Sequence, residues 1–308
     1  MSAAAPPDTV STTMRAALIE RAGRSAVVAC ARPEPAEGET LVRLEGSGVC
    51  ASSLPVWEGR PWFSYPAEPG APGHEGWGVE VESGRRVAVL ADRAFAEYAA
   101  VPHDAVVPLP AELDGVPFPG EAVACALNIF ARSEIRRHDT VAIVGTGWLG
   151  LLLVQLVRGA GARVLAFSRR ESARALAREF GAETPSQPEP ESCNVAIEAA
   201  GVQETLDLAS SLCRVRGRLV VAGFHQDGPR TVDLQSWNWR GLDVVNAHER
   251  DPRAYLRGLR VAVAATAAGR IDLEPLLTHE LTLDRLDDAF ELLRRRPAGF
   301  VKAVIRIP

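Results

Sequence analysis

Cysteine, a feature that often defines a protein class at once, is scarce in this sequence. The five cysteines are scattered along the chain, odd in number and never spaced as CxxC: Cys30, Cys50, Cys125, Cys193 and Cys213. A secreted disulfide framework normally shows an even, regularly spaced set. We therefore expect reduced thiols and a cytoplasmic protein.

The sequence also lacks the features that indicate nucleic-acid or membrane partners. Its formal charge of −5, with both signs mixed, provides no basic field for nucleic acid. No stretch approaches the roughly 20 apolar residues of a transmembrane helix, since even the run from Leu149 to Val157 ends at Arg158. Residues 1–13 have neither a basic start nor an apolar core, so we expect a disordered tail and not a signal peptide. These absences predict a soluble protein without a nucleic-acid or membrane partner.

A glycine-rich segment is the most informative feature that is present. Residues 141–150, VAIVGTGWLG, form an apolar run broken by three glycines and followed at once by the apolar residues 151–157. This pattern indicates a buried parallel strand, a tight turn and a buried helix, as in a dinucleotide site. Gly145 permits the turn, Gly147 lets the backbone approach a pyrophosphate, and Gly150 lets the helix pack closely on the strand. The intervening residues of the turn are also expected to contact the cofactor: Thr146, Trp148 and Leu149.

The residues after the next predicted strand indicate which dinucleotide binds. An acidic residue near the end of strand 163–167 would bind a ribose 2'-hydroxyl, but the chain has Ser168, Arg169 and Arg170 there. A hydroxyl and two guanidinium groups can bind and neutralise a 2'-phosphate, so these residues predict NADP(H). The alternative is that Arg169 and Arg170 only solvate the start of the next helix.

The chain has two regions with different sequence patterns. From Met14 to about Pro110, short apolar pieces are separated by Gly and Pro, which is typical of an all-β barrel. After Glu121, strands and helices alternate, with a helix at 203–212. Further parallel strands are predicted at 195–198, 218–222 and 242–246. Phe224 follows the second of these strands at its carboxyl end, where ligands bind in open α/β sheets, and is a further candidate cofactor contact.

The end of the chain contains two more predicted helices and a strand. The helix over 284–296 places apolar residues on one stripe, and a helix over 255–268 precedes it. Arg294, Arg295 and Arg296 are expected to face solvent at the helix C-terminus. A terminal strand at 301–305 has to pair with another strand, which the sequence alone does not identify.

Two short pieces of the β-rich half contain potential metal ligands. Cys50 is followed by Ser52, and His74 and Glu75 lie in a Gly-His-Glu sequence. Taken alone, such a cysteine is most often a small buried residue, and such a histidine a loop residue. Together with the dinucleotide motif, they resemble the medium-chain dehydrogenase/reductase superfamily, in particular its zinc-containing alcohol and polyol dehydrogenases. The resemblance covers nearly the whole chain after Met14.

The resemblance implies a zinc site. Cys50, His74 and Glu121 match the ligand positions of the polyol dehydrogenases, and such a set leaves a fourth position open for water or substrate. Glu75 would support the site from behind or act as an alternate ligand. Ser52 would shuttle the proton between substrate and cofactor ribose or water; alternatively, its hydroxyl only stabilises a turn.

Three departures from the family pattern limit this inference. Ser53 replaces the Asp that usually supports the metal-bound His, which predicts weaker orientation of that imidazole. Pro55 replaces a relay His found in some members. The cysteine-rich loop that binds a structural zinc is missing, so we expect one catalytic zinc per chain and no structural zinc.

The resemblance also implies the fold class, α/β plus all-β. Residues 14–128 and 251–308 would form a GroES-like β-barrel catalytic domain, and residues 129–250 an inserted Rossmann domain with a doubly wound parallel sheet. Trp57 and Trp62 would line the substrate pocket. A homodimer or homotetramer is usual among relatives.

The predicted function is zinc-dependent hydride transfer between NADP(H) and an alcohol or carbonyl substrate, a small molecule such as an aldehyde, ketone or polyol. Two alternatives stay open. One is a zinc-free NADPH-dependent quinone or enone reductase of the same superfamily, and the other is a catalytically silent NADPH-binding protein. Metal analysis distinguishes the zinc-dependent enzyme from the first alternative. A turnover assay distinguishes it from the second.

Overall fold

The computed structural model describes residues 12–308. The strands are β1 (Thr13–Arg21), β2 (Arg24–Ala31), β3 (Glu39–Gly48), β4 (Glu75–Glu80), β5 (Arg86–Val89), β6 (Tyr98–Pro102), β7 (Val106–Pro108), β8 (Thr140–Val144), β9 (Arg163–Phe167), β10 (Cys193–Glu198), β11 (Cys213–Val221), β12 (Asp243–Asn246), β13 (Leu277–Thr282) and β14 (Lys302–Arg306). The helices are α1 (Leu54–Glu58), α2 (Gly120–Ser133), α3 (Trp148–Gly159), α4 (Glu171–Glu179), α5 (Gln203–Leu212), α6 (Leu234–Arg240), α7 (Pro252–Ala267) and α8 (Leu286–Arg295).

Of the predicted tail, only Thr12 and Thr13 lie within the described residues, and Thr13 is already the first residue of β1. Among residues 12–308, no helix is both long and apolar enough to cross a membrane.

A seven-stranded mixed sheet forms the first unit. Its order is β13-β14-β3-β4-β5-β7, with β6 also paired to β3. All of these pairings are antiparallel except that of β13 with β14. The terminal strand thus pairs with β3, which lies about 260 residues earlier in the sequence. We call these strands, with α8, the mixed-sheet unit.

A five-stranded parallel sheet forms the second unit. Its order is β12-β11-β10-β8-β9, and the helices α3 to α6 connect its strands. The apolar runs predicted as buried strands occupy the centre, because β8 and β10 are covered on both faces. Since β9 and β10 lie on opposite sides of β8, a crevice opens at the carboxyl end of β8. We call these strands and helices the parallel-sheet unit.

The two units share a continuous apolar core. Trp77 and Val107 of the mixed sheet belong to the same buried cluster as Val141 and Leu151 of the parallel-sheet unit. Helices α2 and α7 pack against each other within this cluster. The predicted helix at 203–212 is confirmed, and the stripe predicted for α8 faces the core.

Gly150 is required by the packing of α3 on β8. A Cβ atom added at this position would lie 2.0 Å from the carbonyl oxygen of Gly145, far inside van der Waals contact. Both groups belong to the backbone of one tight turn, so neither can move without reshaping the turn. The close helix–strand packing predicted for this glycine is present in the structure.

We predict that Gly150→Ala destabilises the protein by about 1–3 kcal/mol, the usual cost of overpacking a core. Gly159→Ala is the matched control, because this glycine ends the same helix and an added Cβ there meets nothing within 4 Å. Denaturant unfolding of both variants provides the measurement. Equal stabilities of the two variants would show that the turn yields without cost.

Candidate active site

One cavity of about 1460 Å³ connects the predicted metal site to the predicted cofactor site. At one end it is lined by Cys50, Ser52 and His74, and at the other by Ser168 and Arg169. The cavity lies between the two units, at the carboxyl end of β8. The topology therefore brings together motifs that are more than 90 residues apart in sequence.

Cys50 and His74 are held at the ends of neighbouring strands. Cys50 follows β3 in an extended conformation, and His74 immediately precedes β4. Because β3 and β4 are antiparallel and pair Gly48 with Glu75, these ends lie side by side. The ligand atoms of Cys50, His74 and Glu75 all lie within 4.8 Å of one another. The donor set of one thiol, one imidazole and one carboxylate matches the preference of zinc.

A backbone carbonyl orients the imidazole of His74. Its Nδ1 lies 2.9 Å from the carbonyl oxygen of Pro72, so Nδ1 carries the proton that is donated there. Nε2 then faces the cavity, 3.4 Å from the hydroxyl of Ser52. The hydroxyl of Ser53 donates to the same carbonyl of Pro72, at 3.1 Å. Ser53 thus supports the imidazole indirectly, although it replaces the expected carboxylate.

Glu121 approaches from the first turn of α2. Its Oε2 lies 3.9 Å from Nε2 of His74, and its Oε1 accepts a hydrogen bond of 2.8 Å from the hydroxyl of Tyr255 in α7. The thiol of Cys125 lies 2.6 Å from the same tyrosine hydroxyl. Tyr255 therefore occupies one carboxylate oxygen and leaves the other directed toward His74.

The acidic surroundings change the protonation of these groups. Desolvation opposes protonation of His74, but its hydrogen bond to Cys50 and the charges of Cys50, Glu121 and Glu75 raise its pKa to about 10. Desolvation raises the pKa of Glu121, and the charge of His74 counteracts this. The thiol and the two carboxylates around His74 thus favour a positive charge at its imidazole.

Glu75 is neutralised by Lys302. The Glu75 side chain is fully buried, and Nζ of Lys302 lies 2.7 Å from Oε1 and 2.5 Å from Oε2. The same ammonium lies 5.2 Å from the centre of the Trp148 ring in the glycine-rich turn. Glu121 has no such cation among the ion pairs of the described residues except His74. The charge of Glu75 is thus compensated by a lysine, whereas Glu121 has only the imidazole of His74 beside it.

The glycine-rich turn has the features of an anion-binding cradle. Gly145 adopts a φ of 104°, and a Cβ added at Gly147, a residue that lines the cavity, would meet nothing within 4 Å. Thr146 is 1% exposed, yet its hydroxyl has no hydrogen-bond partner among residues 12–308, and the indole nitrogen of Trp148 is also buried without one there. Buried polar groups are normally paired, so these two groups indicate a ligand with acceptor atoms.

The remaining predicted cofactor contacts line the same cavity: Leu149, Ser168, Arg169, Arg170 and Phe224. Gly150 lies beneath the turn, where it allows α3 to pack closely. Arg170 donates to the carbonyl oxygen of Phe300, and Phe224 is 56% exposed at the rim.

Two predicted pocket residues lie elsewhere. Trp57 packs in the core of the mixed-sheet unit, where its ring stacks on Phe290 and its indole nitrogen donates to Asp287. Trp62 is 61% exposed and does not line the cavity. The prediction that these tryptophans line the substrate pocket is wrong, because α1 turns Trp57 toward α8.

The sequence reasoning missed Tyr255, Cys125 and Lys302. Tyr255 and Cys125 gave no local signal, because only the packing of α7 on α2 brings them to Glu121. Lys302 did give one: it is the single lysine among 34 basic residues. The other Lys and Arg positions are all arginine, and this one lysine lies inside a predicted strand. Such an exception indicates that the position has a special role.

Comparisons with known proteins identify dehydrogenases that are similar to this chain. Residues 149–263 match the family model described as zinc-binding dehydrogenase. The starvation-sensing protein RspB of Escherichia coli is 25% identical, with 92% of this chain and 96% of that protein covered. Sorbitol dehydrogenase of Gallus gallus is 26% identical, with coverage of 91% and 93%.

A solved structure extends the likeness to the whole fold. A Sinorhizobium meliloti protein, described as a zinc-binding dehydrogenase and crystallised with NADP, matches with a TM-score of 0.83 at 27% identity. The alignment covers 96% of this chain and 100% of that protein. The fold of the two units, the glycine-rich turn and these relatives together support membership of the medium-chain dehydrogenase/reductase superfamily.

Proposed function

We propose that this protein is a zinc-dependent, NADP(H)-dependent oxidoreductase that acts on an alcohol or carbonyl group of a small molecule. The observation that carries the proposal is the shared cavity, in which the donor set of Cys50, His74 and Glu121 faces the cradle of the glycine-rich turn. The fold class fits: the mixed sheet would correspond to a GroES-like barrel and the parallel sheet to a Rossmann domain.

The chemistry divides between bound groups and side chains. When bound, zinc would polarise a substrate carbonyl and NADPH would supply a hydride. Cys50, His74 and Glu121 would hold the metal ion, with Glu75 as an alternate ligand. Because cells generally keep the NADP pool reduced, we take carbonyl reduction as the working direction.

Ser52 is the proposed proton shuttle. Its hydroxyl lies 3.2 Å from the sulfur of Cys50 and 3.4 Å from Nε2 of His74, at the surface of the cavity. It can therefore donate a proton to the substrate oxygen and recover one through the cofactor ribose or water. The neutral serine hydroxyl serves this role because it both donates and accepts.

The central experiment is metal analysis with an activity panel. We expect about one zinc per chain in protein purified without chelators, and its loss in Cys50→Ser, because the thiolate is a required ligand. Cys193→Ser is the control, since this cysteine is buried on β10 away from the cavity. The wild type should oxidise NADPH with members of an aldehyde and ketone panel.

Two results would contradict the proposal in different ways. Zinc-free protein that still reduces quinones or enones would be the zinc-free reductase. Protein that binds NADPH but turns over no carbonyl compound would be a silent binder.

Tyr255 should tune the metal site without contacting the metal. In Tyr255→Phe, Oε1 of Glu121 loses the shorter of its two hydrogen bonds and keeps only the one from the thiol of Cys125 at 3.6 Å, so the carboxylate is less well oriented. Removal of such outer partners typically lowers metal affinity by about 10–100-fold, and we expect a loss in that range. Competition with a chelator measures it, and Tyr98→Phe on β6 is the matched control. Unchanged zinc affinity would mean that Glu121 is positioned by α2 alone.

We also propose that two copies associate through the edge of the parallel sheet. β12 pairs only with β11 among the described strands, and several exposed apolar side chains lie on β12 or in the residues that lead into it: Val232, Leu234, Trp239 and Val244. An open strand edge beside an apolar patch is suited to a second copy about a two-fold axis, since the same strand can pair with itself in antiparallel fashion.

Trp239→Glu should therefore yield a particle of one chain mass, 33.0 kDa, where the wild type shows at least twice that mass. A buried, unpaired carboxylate at the interface is the cause of the expected dissociation. Trp62→Glu is the control, because that tryptophan is also exposed but lies far from β12 in sequence, on the mixed-sheet side. Light scattering of both variants at equal concentration measures the particle mass. An unchanged mass in Trp239→Glu would contradict this interface.

A further inference from the structure

The end of the cavity beyond Ser168 is strongly cationic. Six arginines line it, against two carboxylates close to them: Arg169, Arg170, Arg174, Arg178, Arg295 and Arg296 face Glu171 and the nearby Glu291. An excess of guanidinium groups in one concave region favours an anionic ligand.

Three of these arginines already have a carboxylate partner. Arg174 and Arg178 form ion pairs with Glu171, and Arg295 forms one with Glu291. The ion pairs of the described residues include none that involves the other three: Arg169, Arg170 and Arg296. The charge available to a ligand thus comes from two residues that follow β9 and one that follows α8.

The turn after α8 is docked directly onto the segment after β9. Arg170 donates to the carbonyl oxygen of Phe300 at 2.7 Å, and the backbone nitrogen of Gly299 donates to the hydroxyl of Ser172 at 3.3 Å. These contacts fix Arg296, at the start of the turn, beside Arg170. Desolvation and then the charge of Arg296 lower the pKa of Arg170, as expected for two neighbouring guanidinium groups without a counter-ion.

Arg296 occupies a backbone position where glycine is usual. It ends α8 in the left-handed conformation, with φ 47° and ψ 60°. A residue with a Cβ atom is disfavoured there relative to glycine. The chain nevertheless has an arginine at this position, and its side chain borders the cavity. The sequence-based expectation that Arg296 only faces solvent is therefore incomplete.

We propose that Arg296 binds the 2'-phosphate of NADP(H) together with Ser168, Arg169 and Arg170, so that this phosphate is held by both units of the protein. The inference rests on the proposed function, because it assumes NADP(H) as the cofactor. It adds a specificity-determining residue that lies outside the parallel-sheet unit. NAD(H), which lacks the phosphate, would leave the three guanidinium groups without a counter-ion.

The test uses two probes that differ by the phosphate in question. Binding of 2',5'-ADP and of 5'-AMP to the full-length protein is measured by calorimetry. We expect Arg296→Gln to weaken 2',5'-ADP binding about tenfold or more, as for the loss of a charge-assisted contact, and to leave 5'-AMP binding unchanged. Arg296→Lys should retain part of the affinity, because the charge remains while the planar fork is lost.

Two further variants separate binding from folding. Arg296→Gly removes the guanidinium but favours the left-handed conformation, so it should fold at least as stably as the wild type and still lose affinity for 2',5'-ADP. Arg294→Gln is the matched control, because Arg294 pairs with Glu291 and does not line the cavity. It should bind both probes as the wild type does.

The outcomes also separate this inference from the proposed function. If Arg169→Gln loses 2',5'-ADP affinity and Arg296→Gln does not, NADP(H) specificity stands and the role of Arg296 is overturned. Equal losses for both probes in Arg296→Gln would overturn it too, since the effect would then not concern the 2'-phosphate. A wild type that does not prefer 2',5'-ADP over 5'-AMP would overturn both the cofactor assignment and this inference.

Discussion

The buried ion pair between Lys302 and Glu75 is the interaction on which the site depends. It joins the terminal strand β14 to β4, and the ammonium also faces the ring of Trp148 at the start of α3. A carboxylate with no solvent exposure is costly unless it is paired. Here that carboxylate adjoins Cys50, His74 and Glu121, so an unpaired Glu75 would add a negative charge to an already acidic cluster. Lys302 compensates that charge, and Glu121 then has His74 as its ion-pair partner.

The same pair explains why this one position has a lysine in a chain otherwise rich in arginine. The ammonium is compact and fits between a carboxylate and an aromatic face, whereas a planar guanidinium needs a wider, flatter space. Its position as the first residue of the buried strand β14 also fixes the register of β14 against β3, because only one register places the ammonium at Glu75. The strand that closes the chain and the chemistry of the site are therefore specified together.

The sequence was sufficient for features that depend on neighbouring residues. The glycine-rich turn, the buried strands of the parallel sheet and the stripe of α8 are local patterns, and the structure contains them at or near the predicted positions. The position of Trp57 was not predictable in this way. Its partners Asp287 and Phe290 are more than 200 residues away, and aromatic spacing alone does not distinguish a core from a pocket wall.

Ser53 shows how a motif can depart from its family without losing the geometry. In the family, a carboxylate at this position supports the metal-bound imidazole. In this chain the carbonyl of Pro72 accepts the Nδ1 proton of His74, and Ser53 holds that carbonyl. A neutral acceptor fixes the same tautomer but makes the imidazole less basic than a carboxylate would. Orientation is thus preserved while the electrostatic contribution is smaller, a distinction that the residue type alone could not reveal.

The last 60 residues complete both ends of a cavity whose motifs lie earlier in the chain. Tyr255 reaches Glu121 at the metal end, Lys302 reaches Glu75 in the middle, and Arg296 borders the cationic end. All three lie after the parallel sheet, in segments that return to the mixed sheet. Since each contact crosses between segments far apart in sequence, a correctly closed cleft requires the C-terminal segment to be in place. Folding of that segment and assembly of the site are therefore coupled, and a cofactor held from both sides would strengthen the coupling.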